Sequence, residues 1–144
     1  MSDQAGSITP YGSTAPEGDV YDWYVRGREL LDKGNAAAAA QLLTYAVEQE
    51  PTMRSLREAL ARAQFNSGRF SDAEANFERL VDEDPGDDYA RFGLGLARWR
   101  RGDLDGAVEQ LALATAMKPA SSDYSEALRQ VRATLKARPR NESA

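Results

Sequence analysis

Between Ser71 and Glu83 the apolar residues Ala73, Phe77, Leu80 and Val81 recur at spacings of three and four, with charged residues on the opposite side. That period puts them on one stripe of an amphipathic helix. Residues 106–117 repeat the stripe with Val108, Leu111 and Ala114, with Ala116 nearby, and residues 122–137 carry it with Tyr124, Leu128, Val131 and Leu135. The stripes are interrupted at one constant spacing, by Gly34, Pro51, Gly68, Pro85, Gly102 and Pro119 in turn. Glycine just past a helix end adopts the left-handed conformation that closes it, and proline cannot continue a helix interior. The alternation therefore predicts helices of about 14 residues each, stopped in turn by Gly and by Pro. Two of them make a unit of about 34 residues, and self-similarity at that period points to a solenoid of stacked helix pairs.

Local signals agree. Asp19, Asp87 and Ser121 stand before predicted helices, where a short polar side chain caps the first free N–H groups. Ser71 and Glu74 have the spacing of a capping box at the start of their helix. Ala39, Ala73 and Ala107 recur once per unit at the same place, and such small side chains let paired helices approach closely. The run of five alanines at 36–40 is read as helix, because Ala39 is in phase with the other two and alanine is the best helix former.

The tetratricopeptide pattern runs Trp, Leu-Gly and Tyr, then Ala, Phe and a closing Pro. Residues 20–53 supply Trp23, Gly27, Leu30, Ala39, Leu43 and Pro51. Residues 54–87 supply Leu60, Ala61, Ala73, Phe77 and Pro85, and residues 88–121 supply Leu94, Gly95, Ala107, Leu111 and Pro119. The sequence thus resembles a tetratricopeptide repeat protein with three repeats in register. The resemblance implies an all-α fold, a right-handed α-α superhelix of three helix pairs plus a capping helix at 122–137. Arg26 departs from the family's Leu, and Gln64 and Arg98 from its Tyr. Arg26 and Glu29 are polar where later repeats have Leu60, Ala63, Leu94 and Ala97, as expected of a first repeat with no neighbour before it. Arg129 and Arg132 stand where a further repeat would put Gly and Tyr, which reads as the polar face of a terminal cap. Residues 1–19, rich in Gly, Ser, Thr and Pro, are expected to form a disordered N-terminal tail, and 138–144 a flexible C-terminal one.

In this family the first helix of each pair lines a concave groove, through the second, fifth, sixth, ninth, twelfth and thirteenth places of the repeat. Here those places hold Tyr21, Tyr24, Val25, Arg28, Leu31 and Asp32, then Ser55, Glu58, Ala59, Arg62, Phe65 and Asn66. In the third repeat they hold Tyr89, Phe92, Gly93, Leu96, Trp99 and Arg100. The resemblance therefore implies a peptide groove rich in aromatic residues and Arg, the types most common at binding hot spots. Trp99 reads either as a ligand contact or as core, whereas Trp23 matches the family's structural Trp and is assigned to the core. Some members grip a C-terminal carboxylate with a Lys and Asn constellation. Tyr24, Arg28, Ala59, Tyr89 and Gly93 occupy the matching places, so that clamp is not reproduced. Arg28 and Arg62 are the remaining candidates for holding a carboxylate.

Composition narrows the function classes. A share of 42% apolar residues suits a modest core, and no apolar run is long enough to span a bilayer. The first residues lack the basic and apolar regions of a secretory signal, and with no Cys the expectation is a cytoplasmic protein. There is also no His, so no nucleophile–base–orienter set can be assembled and no enzyme or cofactor is expected. The acids Asp82, Glu83, Asp84, Asp87 and Asp88 around Pro85 lack the spacing of a Ca²⁺ loop and read as a solvated turn. Arg98, Arg100 and Arg101 read as cations favoured at a helix C-terminus. A formal charge of −5 argues against nucleic acid. The expected function is an adaptor holding a peptide segment or helix of a protein partner, with an apolar and an acidic anchor. The alternative is a self-assembly module forming homo-oligomers.

Overall fold

Residues 15–139 are described by the computed structural model. Seven helices follow one another among them: α1 (Val20–Asp32), α2 (Ala36–Gln49), α3 (Arg54–Asn66), α4 (Phe70–Glu83), α5 (Asp88–Arg100), α6 (Leu104–Met117) and α7 (Ser122–Ala137). The punctuation works as its chemistry dictates. Gly34, Gly68 and Gly102 hold φ of +84°, +85° and +90°, a region costly for any residue with a Cβ. That turn lets the N–H of Asn35, Arg69 and Asp103 donate back to the carbonyls of Leu30, Gln64 and Arg98, at 2.8 Å each time. These bonds satisfy carbonyls that the helix end leaves free.

Three caps form as expected. The N–H of Asp22, Ala90 and Tyr124 donates to the side chains of Asp19, Asp87 and Ser121, at 3.0, 3.0 and 3.3 Å. The capping box at Ser71 and Glu74 does not form. The N-cap of α4 is Arg69, with no side-chain cap bond, so Ser71 already lies inside the helix. Glu74 instead reaches α5, where it accepts from Arg98 Nε at 3.2 Å and Arg101 Nη1 at 2.6 Å.

Each helix packs on the next. The odd-numbered helices also touch one another, α1 on α3, α3 on α5 and α5 on α7, while no two even-numbered helices meet among the described residues. The stack therefore curves with the odd helices inside. Ala39, Ala73 and Ala107 are wholly buried at the pair interfaces, each one turn before Leu43, Phe77 or Leu111. α7 seals the last pair, placing Leu128 and Val131 in one cluster with Leu111 and Leu104.

One hydrogen bond recurs at the start of every pair. The fourth residue of each repeat donates to the carbonyl six residues before it: Trp23 to Glu17 (3.0 Å), Arg57 to Pro51 (2.8 Å) and Arg91 to Pro85 (2.9 Å). Trp23 is 6% exposed, in the core as expected. Its acceptor lies within the stretch expected to form the N-terminal tail. Arg26 Nη1 also donates to the Glu17 carbonyl at 3.0 Å, and Asp19 shares a reciprocal cap with Asp22. The rest of that expectation, residues 1–14, and residues 140–144 of the C-terminal one lie outside the described residues.

Candidate functional site

On the inner side, α3 and α5 part around an opening of about 230 Å³. Arg62, Phe65 and Asn66 of α3 form one wall, Tyr89, Phe92, Gly93 and Leu96 of α5 the other, and Phe77 of α4 the floor. The floor depends on Gly93. A Cβ there would overlap the Phe77 ring, while the equivalent places in the other repeats carry Val25 and Ala59. The walls are braced. Phe92 stacks on Tyr124 with ring centroids 4.6 Å apart, and the Tyr124 hydroxyl donates to Asp88 at 2.7 Å. Tyr89 meets Phe77 edge-on at 6.4 Å, and burial pushes its phenol above the ordinary tyrosine value.

The charges here are unevenly matched. Arg62 is half-buried at the rim and takes part in no ion pair among the described residues. Glu58 lies one turn before it, also half-buried. Burial pushes the Glu58 carboxyl above its ordinary value and Asp87 adds to the effect, while Arg62, Arg54 and Arg28 pull it back. Arg54 is already engaged with Asp87 at 2.6 Å, a bond that ties the start of α3 to the N-cap of α5.

The remaining expected groove residues are spread more widely. Tyr21 is exposed on α1. Arg28 donates from Nη1 to the Tyr24 hydroxyl at 3.2 Å and lies 5.6 Å from that ring's centroid. Arg100 is exposed and sits over the Phe70 ring at 4.5 Å and near Phe65 at 5.8 Å. Trp99 does not line the α3–α5 opening. It is half-buried against the cluster of Leu104, Leu111, Leu128 and Val131, beside Phe92 and Leu96. Periodicity assigns Phe77 only to the core, and the glycine facing it is the signal of its second role. Arg98 is more than a helix-end cation: it is paired with Glu74 at 3.2 Å, Glu78 at 3.6 Å and Glu109 at 3.9 Å. Among the acids around Pro85, Glu83 and Asp87 pair with Arg54, and the described residues hold no group of three or more ligands suited to a metal.

Two family models described as tetratricopeptide repeat match the chain, one over residues 58–122 and the other over 30–80. The chain belongs to the tetratricopeptide repeat family. Among solved tetratricopeptide structures, the first such domain of Spaghetti (RPAP3), bound to the HSP90 peptide SRMEEVD, superposes with a TM-score of 0.76 at 19% identity. The match covers 83% of this chain and 94% of that one. The tetratricopeptide domain of Sgt2 from Aspergillus fumigatus gives 0.75 at 22% identity, over 90% and 91% of the two chains. A curated relative, the CTR9 homolog of Arabidopsis thaliana, is 32% identical over 105 residues, 70% of this chain but 10% of its own length. The tetratricopeptide chain thus spans about a tenth of that relative. No helix among its described residues is long and apolar enough to cross a membrane.

Proposed function

We propose that this tetratricopeptide domain is a non-catalytic adaptor that takes a peptide segment of a partner protein into its concave groove. One observation carries the reading: the half-buried Arg62 stands without a carboxylate partner among the described residues, at the rim of an aromatic opening. Exposed ion pairs are worth little, but a guanidinium beside apolar walls gains much from a bidentate carboxylate. An apolar anchor enters over Phe77, between Phe65 and Phe92, while an acidic group of the same segment meets Arg62. The HSP90 peptide held by the RPAP3 domain is itself acidic, and it supports this choice of partner chemistry. The grip differs here, because Tyr24, Ala59 and Gly93 stand at places of the family's carboxylate clamp.

Peptides selected from a phage-displayed library against the full chain provide the probe. Arg62→Ala is expected to weaken their binding by roughly 1.5–3 kcal/mol, as for a hydrogen bond to a charged group, and to flatten its salt dependence. Phe65→Ala weakens binding at every salt concentration. Unchanged affinity in both variants removes the groove from consideration. Self-association is the second reading, favoured by the exposed Leu113 and Met117 of α6, where α4 carries Arg79 and Glu83 at the equivalent places one repeat earlier. Light scattering over a dilution series distinguishes it, since a homo-oligomer loses mass on dilution and a monomeric adaptor does not.

A further inference from the structure

The start of each odd-numbered helix meets the start of the next, and the three joints are closed differently. The first place of the second repeat is Arg54, which donates to Asp87 Oδ2 at 2.6 Å and to the Leu80 carbonyl at 3.1 Å. The first place of the third repeat is Asp88, which accepts from the Tyr124 hydroxyl at 2.7 Å. The first place of the first repeat is Val20, which has no polar side-chain group to offer. That joint stays open, with about 440 Å³ between the start of α1 and the start of α3. Val20, Tyr21 and Tyr24 line one side of it, Met53 and Leu56 the other. Tyr21 is 71% and Met53 47% exposed, while the other two large apolar side chains exposed among the described residues both lie on α6. Apolar surface gathered at one place marks an interaction site more often than scattered residues do.

The charge of this joint is one-sided. Glu50 is the one charged residue in its lining, and it takes part in no ion pair among the described residues. Glu50 holds the place that Asp84 holds in the second repeat, and Met53 that of Asp87. There the chain supplies its own guanidinium, since Arg54 pairs with Glu83 at 3.4 Å as well as with Asp87. The first joint thus keeps an acid and lacks the cation. It also presents aromatic faces. Arg28 lies over the Tyr24 ring at 5.6 Å from one turn further along α1, outside the lining. Tyr21 makes no aromatic or cation–π contact among the described residues. An aromatic face attracts a cation, and the stem of a Lys or Arg side chain packs on apolar surface while its charge stays at the wet rim. We infer that the α1–α3 joint is a binding site for a lysine or arginine side chain of a partner protein, its stem lying on Tyr21 and Met53 and its charge meeting Glu50. This goes beyond the acid-binding role proposed for Arg62. The two openings flank α3 on different sides, one towards α1 and one towards α5, so each stands or falls separately.

The test uses the full chain with carbon-13 in its methionine methyl groups. The chain has three methionines, Met1, Met53 and Met117, so NMR reads the site through Met53 and has an exposed control in Met117 on α6. The probe is the tripeptide Leu-Lys-Leu with both ends capped. It is expected to shift the Met53 signal saturably and to leave Met117 in place. Acetylating the lysine keeps the stem and removes the charge, and should weaken binding about fivefold. Glutamate in place of the lysine should remove the response over the same concentrations. In the Glu50→Gln variant the acetylated peptide should bind as before, and the preference for free lysine should vanish. That variant's melting temperature should match the unaltered chain's, because Glu50 is exposed and in no ion pair. Equal binding of the free and acetylated peptides, or a preference that survives in Glu50→Gln, overturns the cation site. A Met53 signal that does not move, or that moves no more than Met117, overturns the joint as a binding site. The capped probe carries no acid, so none of these outcomes bears on the Arg62 reading.

Discussion

The first repeat and the second close the same joint with opposite chemistry. In the second repeat Arg57, 7% exposed, donates to the Pro51 carbonyl and also to Asn76 Oδ1 at 2.9 Å, and Asn76 Nδ2 donates to Gln64 Oε1 at 2.7 Å. The equivalent three places of the first repeat hold Trp23, Leu30 and Leu42, which pack together as one apolar cluster. The Trp23 indole keeps only the bond to the preceding carbonyl. The third repeat follows the second in part: Arg91 Nη1 donates to Gln110 Oε1 at 3.0 Å, while Arg98 turns to Glu74. The turn carbonyl needs a donor at this joint; whatever else the donor meets is free to be polar or apolar, provided that no buried polar group is left unpaired. A half-polar version would leave a buried group unpaired, which costs more than the full bond gains.

Replacing Trp23 with Ala should have the largest effect, about 3–5 kcal/mol, as for removal of a large buried aromatic. It takes away both the donor and the packing against Leu42, and chemical denaturation reads the loss. Arg57→Ala comes next, at roughly 1.5–3 kcal/mol, because Asn76 and the Pro51 carbonyl lose a charged donor. The comparison predicts a smaller loss when the second joint is converted whole. The triple variant Arg57→Trp, Gln64→Leu, Asn76→Leu installs the first repeat's solution and should stay within about 1.5 kcal/mol of the unaltered chain. If it proves less stable than Arg57→Ala alone, the three places do not act as a unit. The smallest effect belongs to the groove side of the same repeat, where Glu58 replaces the aromatic residues Tyr24 and Phe92. Burial raises the Glu58 pKa in the folded chain above its unfolded value near 4.5, so its ionised form opposes folding. Glu58→Gln should therefore stabilise the chain slightly at neutral pH, and the gain should fade as pH falls through the raised value and below 4.5. Melting curves over that range check the sign.

Helix ends are the most legible feature, because Gly at positive φ and Pro in a turn act within a few residues of themselves. Caps are legible for the same reason at Asp19, Asp87 and Ser121. The capping box at Ser71 fails because Phe70, apolar and half-buried, already belongs to the helix, so correct spacing is offset by wrong phase. Long-range polar partners are not legible one residue at a time. Nothing beside Arg57 announces Asn76, 19 positions away, and nothing near Arg98 announces Glu74, 24 positions back. Aligning one repeat on the next exposes the first of these, since Trp23 with Leu42, Arg57 with Asn76 and Arg91 with Gln110 change character together. The expected groove residues can be assigned places on a helix, but their depth cannot. Trp99 and Phe92 lie on the same helix, yet only Phe92 faces the opening.

Gly93 gives the α3–α5 opening an unusual dependence. The place that a side chain at 93 would occupy is already filled by the Phe77 ring, which also forms the floor of the opening. Enlarging residue 93 would displace a core ring and, with it, the floor of the opening. Shrinking Phe77 would deepen the opening and hollow the core in the same step. Residues 77 and 93, on neighbouring helices, thus share a single volume. On the groove reading proposed above, any change in the size of the anchor requires both to be resized as a pair.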